Sequence, residues 1–185
     1  MTQDETKVIN RIQEAIQGPQ KVPASEVKNW LRHSSLDVLS VATNLILEHS
    51  RQIEPPLTMQ EICDAVRDYY RRCLQEDRES EFVPSLHVAG YELARWFRNL
   101  WDDPEVPREY LADLKTMLAE LYKSADQAKA DRLVNAVIEH LFETPGVPEF
   151  FADWKSDAAL SRGFARAMEW VDGGGKSPLT EGRQR

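Results

Sequence analysis

Two stretches of this chain, offset by 41 residues, carry the same pattern: an amphipathic helix, a proline-marked turn and the start of another helix. The first is YELARWFRNLWDDPEVPREYLADLK, residues 91–115, and the second is RLVNAVIEHLFETPGVPEFFADWK, residues 132–155. Leu93, Trp96, Phe97, Leu100 and Trp101 fall on Val134, Val137, Ile138, Leu141 and Phe142. Pro104, Val106 and Pro107 fall on Pro145, Val147 and Pro148; with one residue dropped, Leu111 to Lys115 falls on Phe151 to Lys155. Apolar residues three and four apart make one face of a helix, and proline closes it, so each copy predicts a helix pair.

The rest of the chain has the same period. A stripe of Val8, Ile9, Ile12 and Ile16 predicts a helix over 4–17, stopped by Gly18-Pro19. Ser25 is placed to cap a short helix carrying Val27, Trp30 and Leu31, and Ser34 with Asp37 reads as a capping box. The next helix, from 36 to about 53, is apolar nearly all round, which predicts a central position. Thr58 and Glu61 form another capping box, before a stripe of Met59, Ile62, Cys63, Val66, Tyr69, Tyr70, Cys73 and Leu74. Its other face, from Glu61 to Gln75, reads as solvated. Residues 76–81, EDRESE, read as a charged linker. Ser124 with Gln127 and then Ser156 read as caps of the last two long helices. Residues 173–185 read as a disordered tail. No stretch alternates as a strand would.

The fold class expected is all-α: one domain over 1–172, an irregular multi-helix bundle of about eight helices. The two repeat-like units allow a pair of HEAT-like repeats and, as the alternative, an α-solenoid-like stack. A weaker third echo at 44–56 is unevenly spaced, which favours the bundle.

Composition narrows the function classes. Apolar residues are 42% and charged residues 29%, ordinary for a globular protein. No apolar run is long enough to span a bilayer, and the acidic start lacks the form of a signal peptide. A cytoplasmic location and no membrane association are therefore the expectation. The net charge is −8, and the tail, with Lys176, Arg183 and Arg185 against Glu181, is +2, which leaves −10 on residues 1–172. Phosphate backbones would be repelled, so nucleic acid is not an expected partner; a basic protein is. Cys63 and Cys73 lie about 15 Å apart along one predicted helix and cannot bond within it.

Residue patterns for chemistry are sparse. His33, His49, His87 and His140 have no glutamate three residues before them, and no His-Glu-x-x-His occurs. Glu48-His49 and Glu139-His140 are adjacent pairs whose side chains diverge by about 100° on a helix. There is no phosphate-binding loop or nucleophile elbow. No catalytic, cofactor or metal residues are therefore expected. Asp102-Asp103 beside Pro104 reads as a capping acidic turn before it reads as an acid–base pair. The C-terminal stretch from His140 to Gly174 resembles small bacterial helical domains, a resemblance that implies no residue roles.

The expected function is a helical protein-interaction module, in its concrete form an acidic immunity- or inhibitor-type protein that neutralises a basic partner. Trp101, Asp102, Asp103, Glu105 and Trp154, at the proline turns, are the candidate interaction residues. One alternative is a helical enzyme or small-molecule binder in which Glu48, His49, Glu139 or His140 converge on a pocket. Another is a structural subunit docking through the stripe around Tyr69-Tyr70.

Overall fold

The computed structural model describes residues 1–174. The fold is all-α, apart from one two-residue parallel pairing of Val22–Pro23 with Ile53–Glu54. That pairing is too short to leave a period in the sequence; it buries Val22 and Ile53. The chain falls into two compact units, Met1–Ser85 and Leu86–Arg185. The tail expected to be disordered lies, from residue 175 on, outside the described residues.

The first unit holds α1 (Gln3–Gln17), α2 (Ala24–Trp30), α3 (Leu36–Glu48) and α4 (Met59–Glu76). Capping boxes open α1 at Thr2 and Glu5 and α4 at Thr58 and Glu61. Each pairs two otherwise orphaned backbone donors. As its composition predicts, α3 is central, packed by α1, α2 and α4. Its Leu36, Val38, Leu39, Val41, Ala42, Leu45 and Ile46 are all buried. Burying so many aliphatic side chains supplies roughly 1.5–3 kcal/mol apiece before the entropy of ordering them. The Ser34–Asp37 box does not form: Ser35 precedes α3 without a side-chain cap bond. Asp37 is instead buried and bonded to Arg78 and Ser80. Likewise Pro23, not Ser25, precedes α2.

Two readings of α4 change. Tyr69 and Tyr70 are buried, with ring centroids 4.9 Å apart, so this stripe belongs to the core and offers no docking surface. Arg72, expected in solvent, reaches back to the α2–α3 turn and donates to the carbonyls of His33 (3.3 Å) and Ser34 (2.8 Å). Cys63 and Cys73 are buried and outside any disulfide, and burial pushes the Cys63 thiol up to about 11.

The second unit holds α5 (Leu86–Asp102), α6 (Arg108–Ser124), α7 (Gln127–Leu133), a π turn (Val134–Ile138), α8 (Glu139–Phe142), α9 (Val147–Phe150), a 3-10 turn (Ala152–Lys155) and α10 (Ser161–Asp172). Segment α7, the π turn and α8 run on without a break, and α5 packs chiefly against the π turn. The contact is close because Gly90 lacks a side chain: a Cβ there would lie 2.6 Å from the Ala136 carbonyl oxygen. Every inward residue expected of α6, from Tyr110 to Tyr122, is buried. Asp126 caps α7 by accepting from Lys129 (2.8 Å), in place of Ser124. Ser156 caps no helix: Asp157, accepting from Ala159 and Leu160, closes the turn before α10.

The two similar stretches differ as structures. The first leads into 17-residue α6 through Pro107. The second leads into four-residue α9 through Gly146, at φ 83°. Their aligned apolar faces pack against each other where α5 meets the π turn and α8.

Candidate functional site

The last turn of α5 carries a half-buried tryptophan, Trp101. Trp101 stacks on Phe97 (6.2 Å between centroids) and meets Phe150 of α9 edge-on at 5.5 Å. Gly146 makes room for it, since a Cβ there would lie 3.2 Å from the Trp101 ring. Behind this pair lies a buried aromatic core in which Phe151 contacts Phe150 (5.6 Å), Trp154 (5.0 Å) and Phe142 (5.6 Å). Such pairs add about 0.5–1.5 kcal/mol each beyond area burial and hold the outer rings in one orientation. Trp101 and Phe150 are the two aromatic rings that this chain of contacts leaves partly open.

The guanidinium of Arg108 lies over the Trp101 ring, 4.4 Å from its centroid. This is the geometry in which an indole face attracts a cation. Along the same stretch, Asp102, Asp103, Glu105, Glu109 and Asp113 are all exposed. Residues 102–113 thus hold five carboxylates against one arginine, a local charge of −4.

Helix ends account for only one of these acids, Glu109 in the first turn of α6, where the dipole favours a carboxylate. Asp102 ends α5, the end of a helix where the dipole disfavours a carboxylate. Pro107 precedes α6 and gives it no side-chain cap. Asp103 accepts only within the turn, from the Glu105 amide at 2.9 Å. Of the five candidate interaction residues, Trp101, Asp102, Asp103 and Glu105 therefore share one exposed corner. Trp154 does not: it is 2% exposed, walled in by Phe151 and Tyr122, and cannot reach a partner. Phe150, at the same corner, is not among the candidates read from the sequence, where nothing sets it apart from the buried Phe151 beside it.

A second polar cluster lies on α8. Glu139 is buried, and burial, with Glu143 nearby, holds its carboxyl above the usual range against the pull of Arg166 and His140. His140 Nδ1 lies 3.3 Å from Glu143, which also accepts from the Trp170 indole at 3.3 Å. Arg166 bonds Asn135 and Asp131. These contacts tie α10 to α7, to the π turn and to the residue that follows α8.

Each unit carries a cleft. In the first, one of about 290 Å³ lies between Lys28, Leu31 and Arg32 on one side and Glu61, Asp64, Ala65 and Asp68 on the other. Its acids are engaged: Glu61 by Lys28 (2.5 Å), Asp64 by Arg67 (2.6 Å) and Asp68 by Arg71 (2.5 Å). In the second, one of about 260 Å³ is crossed by Lys115–Asp153 (2.5 Å) and Lys123–Asp157 (2.6 Å), with Trp154 and Leu160 among its lining residues. Glu48, His49, Glu139 and His140 line neither cleft. Among the described residues no group of three or more His, Cys, Asp or Glu side chains is placed to hold a metal ion, and no helix is long and apolar enough to cross a membrane.

No family model matches the chain, and no curated protein or solved structure matches it significantly.

Proposed function

We propose that the chain is a protein-interaction module whose second unit receives a basic, arginine-bearing segment of a partner protein at the corner formed by Trp101 and Phe150. The observation that carries this reading is the pairing of two partly open aromatic rings with a −4 charge run, of which the helix dipole explains Glu109 alone. Aromatic residues at the centre of a patch, with charge at its rim, are the usual anatomy of a binding hot spot. Arg108 supports the choice of ligand chemistry: its guanidinium lies on the Trp101 face, and a partner's arginine would displace it there. An immunity- or inhibitor-type protein that neutralises a basic partner would need these features, and the −10 charge of residues 1–172 would speed its encounter with such a partner.

The test is binding of a short, fluorescently labelled arginine-rich peptide, followed by anisotropy at low salt. Trp101→Ala is expected to weaken binding by about tenfold or more, the scale of one lost hot-spot residue. Combined Asp102→Asn, Asp103→Asn and Glu105→Gln should weaken it further and flatten its salt dependence. Equal binding by wild type and both variants would reject the reading, as would no binding at all.

A further inference from the structure

The charged run after α4, which reads as a solvated linker, is bound down. The chain leaves α4 through Asp77, in the left-handed region at φ 50°, and turns back toward α3. There Asp37 accepts from Arg78 and from the Ser80 hydroxyl. One helical turn along, Ser40 donates to the Phe82 carbonyl (2.5 Å) and meets the Tyr69 hydroxyl at 3.1 Å. Ser80 in turn accepts from the amides of Phe82 (3.2 Å) and Val83 (3.0 Å), and its own amide donates to the Val83 carbonyl at 3.0 Å. Asp37 and Ser40 are three residues apart on α3 and so share a face. Val83 is buried beneath the segment and Phe82 is partly covered.

We infer that residues 78–83 are a releasable strap, held shut on α3 by the Asp37 carboxylate, whose opening uncovers Phe82 and Val83 while the rest of the first unit stays folded. Three features carry this. The strap adds no helix turn to the unit. Apart from Val83 its side chains are polar or only partly buried. Both bonds from Arg78 and Ser80 converge on one carboxylate, so a single group controls them together. Segments with few buried apolar contacts open at the lowest free energy.

Amide hydrogen exchange on the full chain tests this. In the wild type the amides of Ser80, Phe82 and Val83 should be protected. In Asp37→Asn they should exchange about ten- to a hundredfold faster, the change expected when a hydrogen bond to a charged group is lost. Amides of α3 and α4 should keep wild-type rates. Should Asp37→Asn unfold the unit, Arg78→Gln gives the same readout from an exposed position that leaves α3 and the amide bonds to Ser80 intact. Faster exchange confined to 80–83 in these variants supports the strap. Unchanged exchange there, or loss of protection through α3 and α4 in step with it, overturns it.

Discussion

Replacing Gly90 with alanine should destabilise the second unit, although alanine is the better helix former. Gly90 lies inside the 17-residue helix α5. In an open helix the change would be stabilising by about 0.5–1 kcal/mol. Here the new Cβ would meet three atoms of one residue in the π turn: the Ala136 carbonyl oxygen at 2.6 Å, its carbonyl carbon at 2.9 Å and its Cβ at 2.9 Å. Two of these are backbone atoms, which no side-chain rotation can clear. The helices must part, and overpacking of this kind costs about 1–3 kcal/mol. With the propensity gain set against it, a net loss of about 1–2 kcal/mol is expected, or a fall in midpoint of about 4–8 °C for each kcal/mol in a unit of this size. Thermal unfolding followed by far-ultraviolet circular dichroism reads it directly. The double variant Gly90→Ala with Ala136→Gly should recover little, because the nearest clashing atom is the carbonyl oxygen. A midpoint equal to or above that of the wild type would refute the close packing of α5 on the π turn.

Other outcomes follow from single residues. Thr43 is buried in α3 with its hydroxyl unbonded, so Thr43→Val should raise stability by about 1 kcal/mol in urea unfolding. Gly146→Ala should cost about 1–2 kcal/mol, since it forces a side chain into the left-handed region and against Trp101. Glu139 should make its own mark on the pH profile. Its folded carboxyl is held above the ordinary value of 4.5, chiefly by burial, so the native state keeps a proton that the unfolded chain has released. Its contribution is thus present below that value and lost as pH rises through the folded pKa. Glu139→Gln should remove that decline, as measured by unfolding midpoints across the acid range.

Much of this architecture is legible in the sequence because it rests on period and composition. The stripe of α6 and the all-round apolar character of α3 name their buried residues directly. Caps are less legible, because several short polar residues compete at each helix start. Asp126, Asp157 and Ser35 occupy positions that Ser124, Ser156 and Ser34 also suit, and the path of the chain decides between them. The π turn leaves no trace, since Val134, Val137, Ile138 and Leu141 fit an α-helical stripe equally well. Long-range polar pairing is hidden for a different reason. Asp37 finds its partners 41 and 43 residues on, and Arg72 reaches back 38 and 39 residues to the α2–α3 turn. In the candidate site, Trp101 and the acids run from the end of α5 through the turn into α6 and so stand together in the sequence. Trp154 is sealed by Phe151 and Tyr122, and Phe150 is brought to Trp101 by the turn at Gly146.

Where a basic ligand docks is the most direct question to put to the molecule. Nitrogen-15 NMR during titration with an arginine-rich peptide at low salt answers it, with the Trp101 indole signal picked out from those of the other four tryptophans by its loss in Trp101→Phe. The Trp101 indole and the amides of Asp102, Asp103, Glu105, Val106, Arg108, Glu109 and Phe150 should shift together and return as salt is raised. Shifts centred elsewhere, such as on the cleft between Lys28 and Asp68, or no shifts at any salt, would contradict the assignment of the interaction site to this corner.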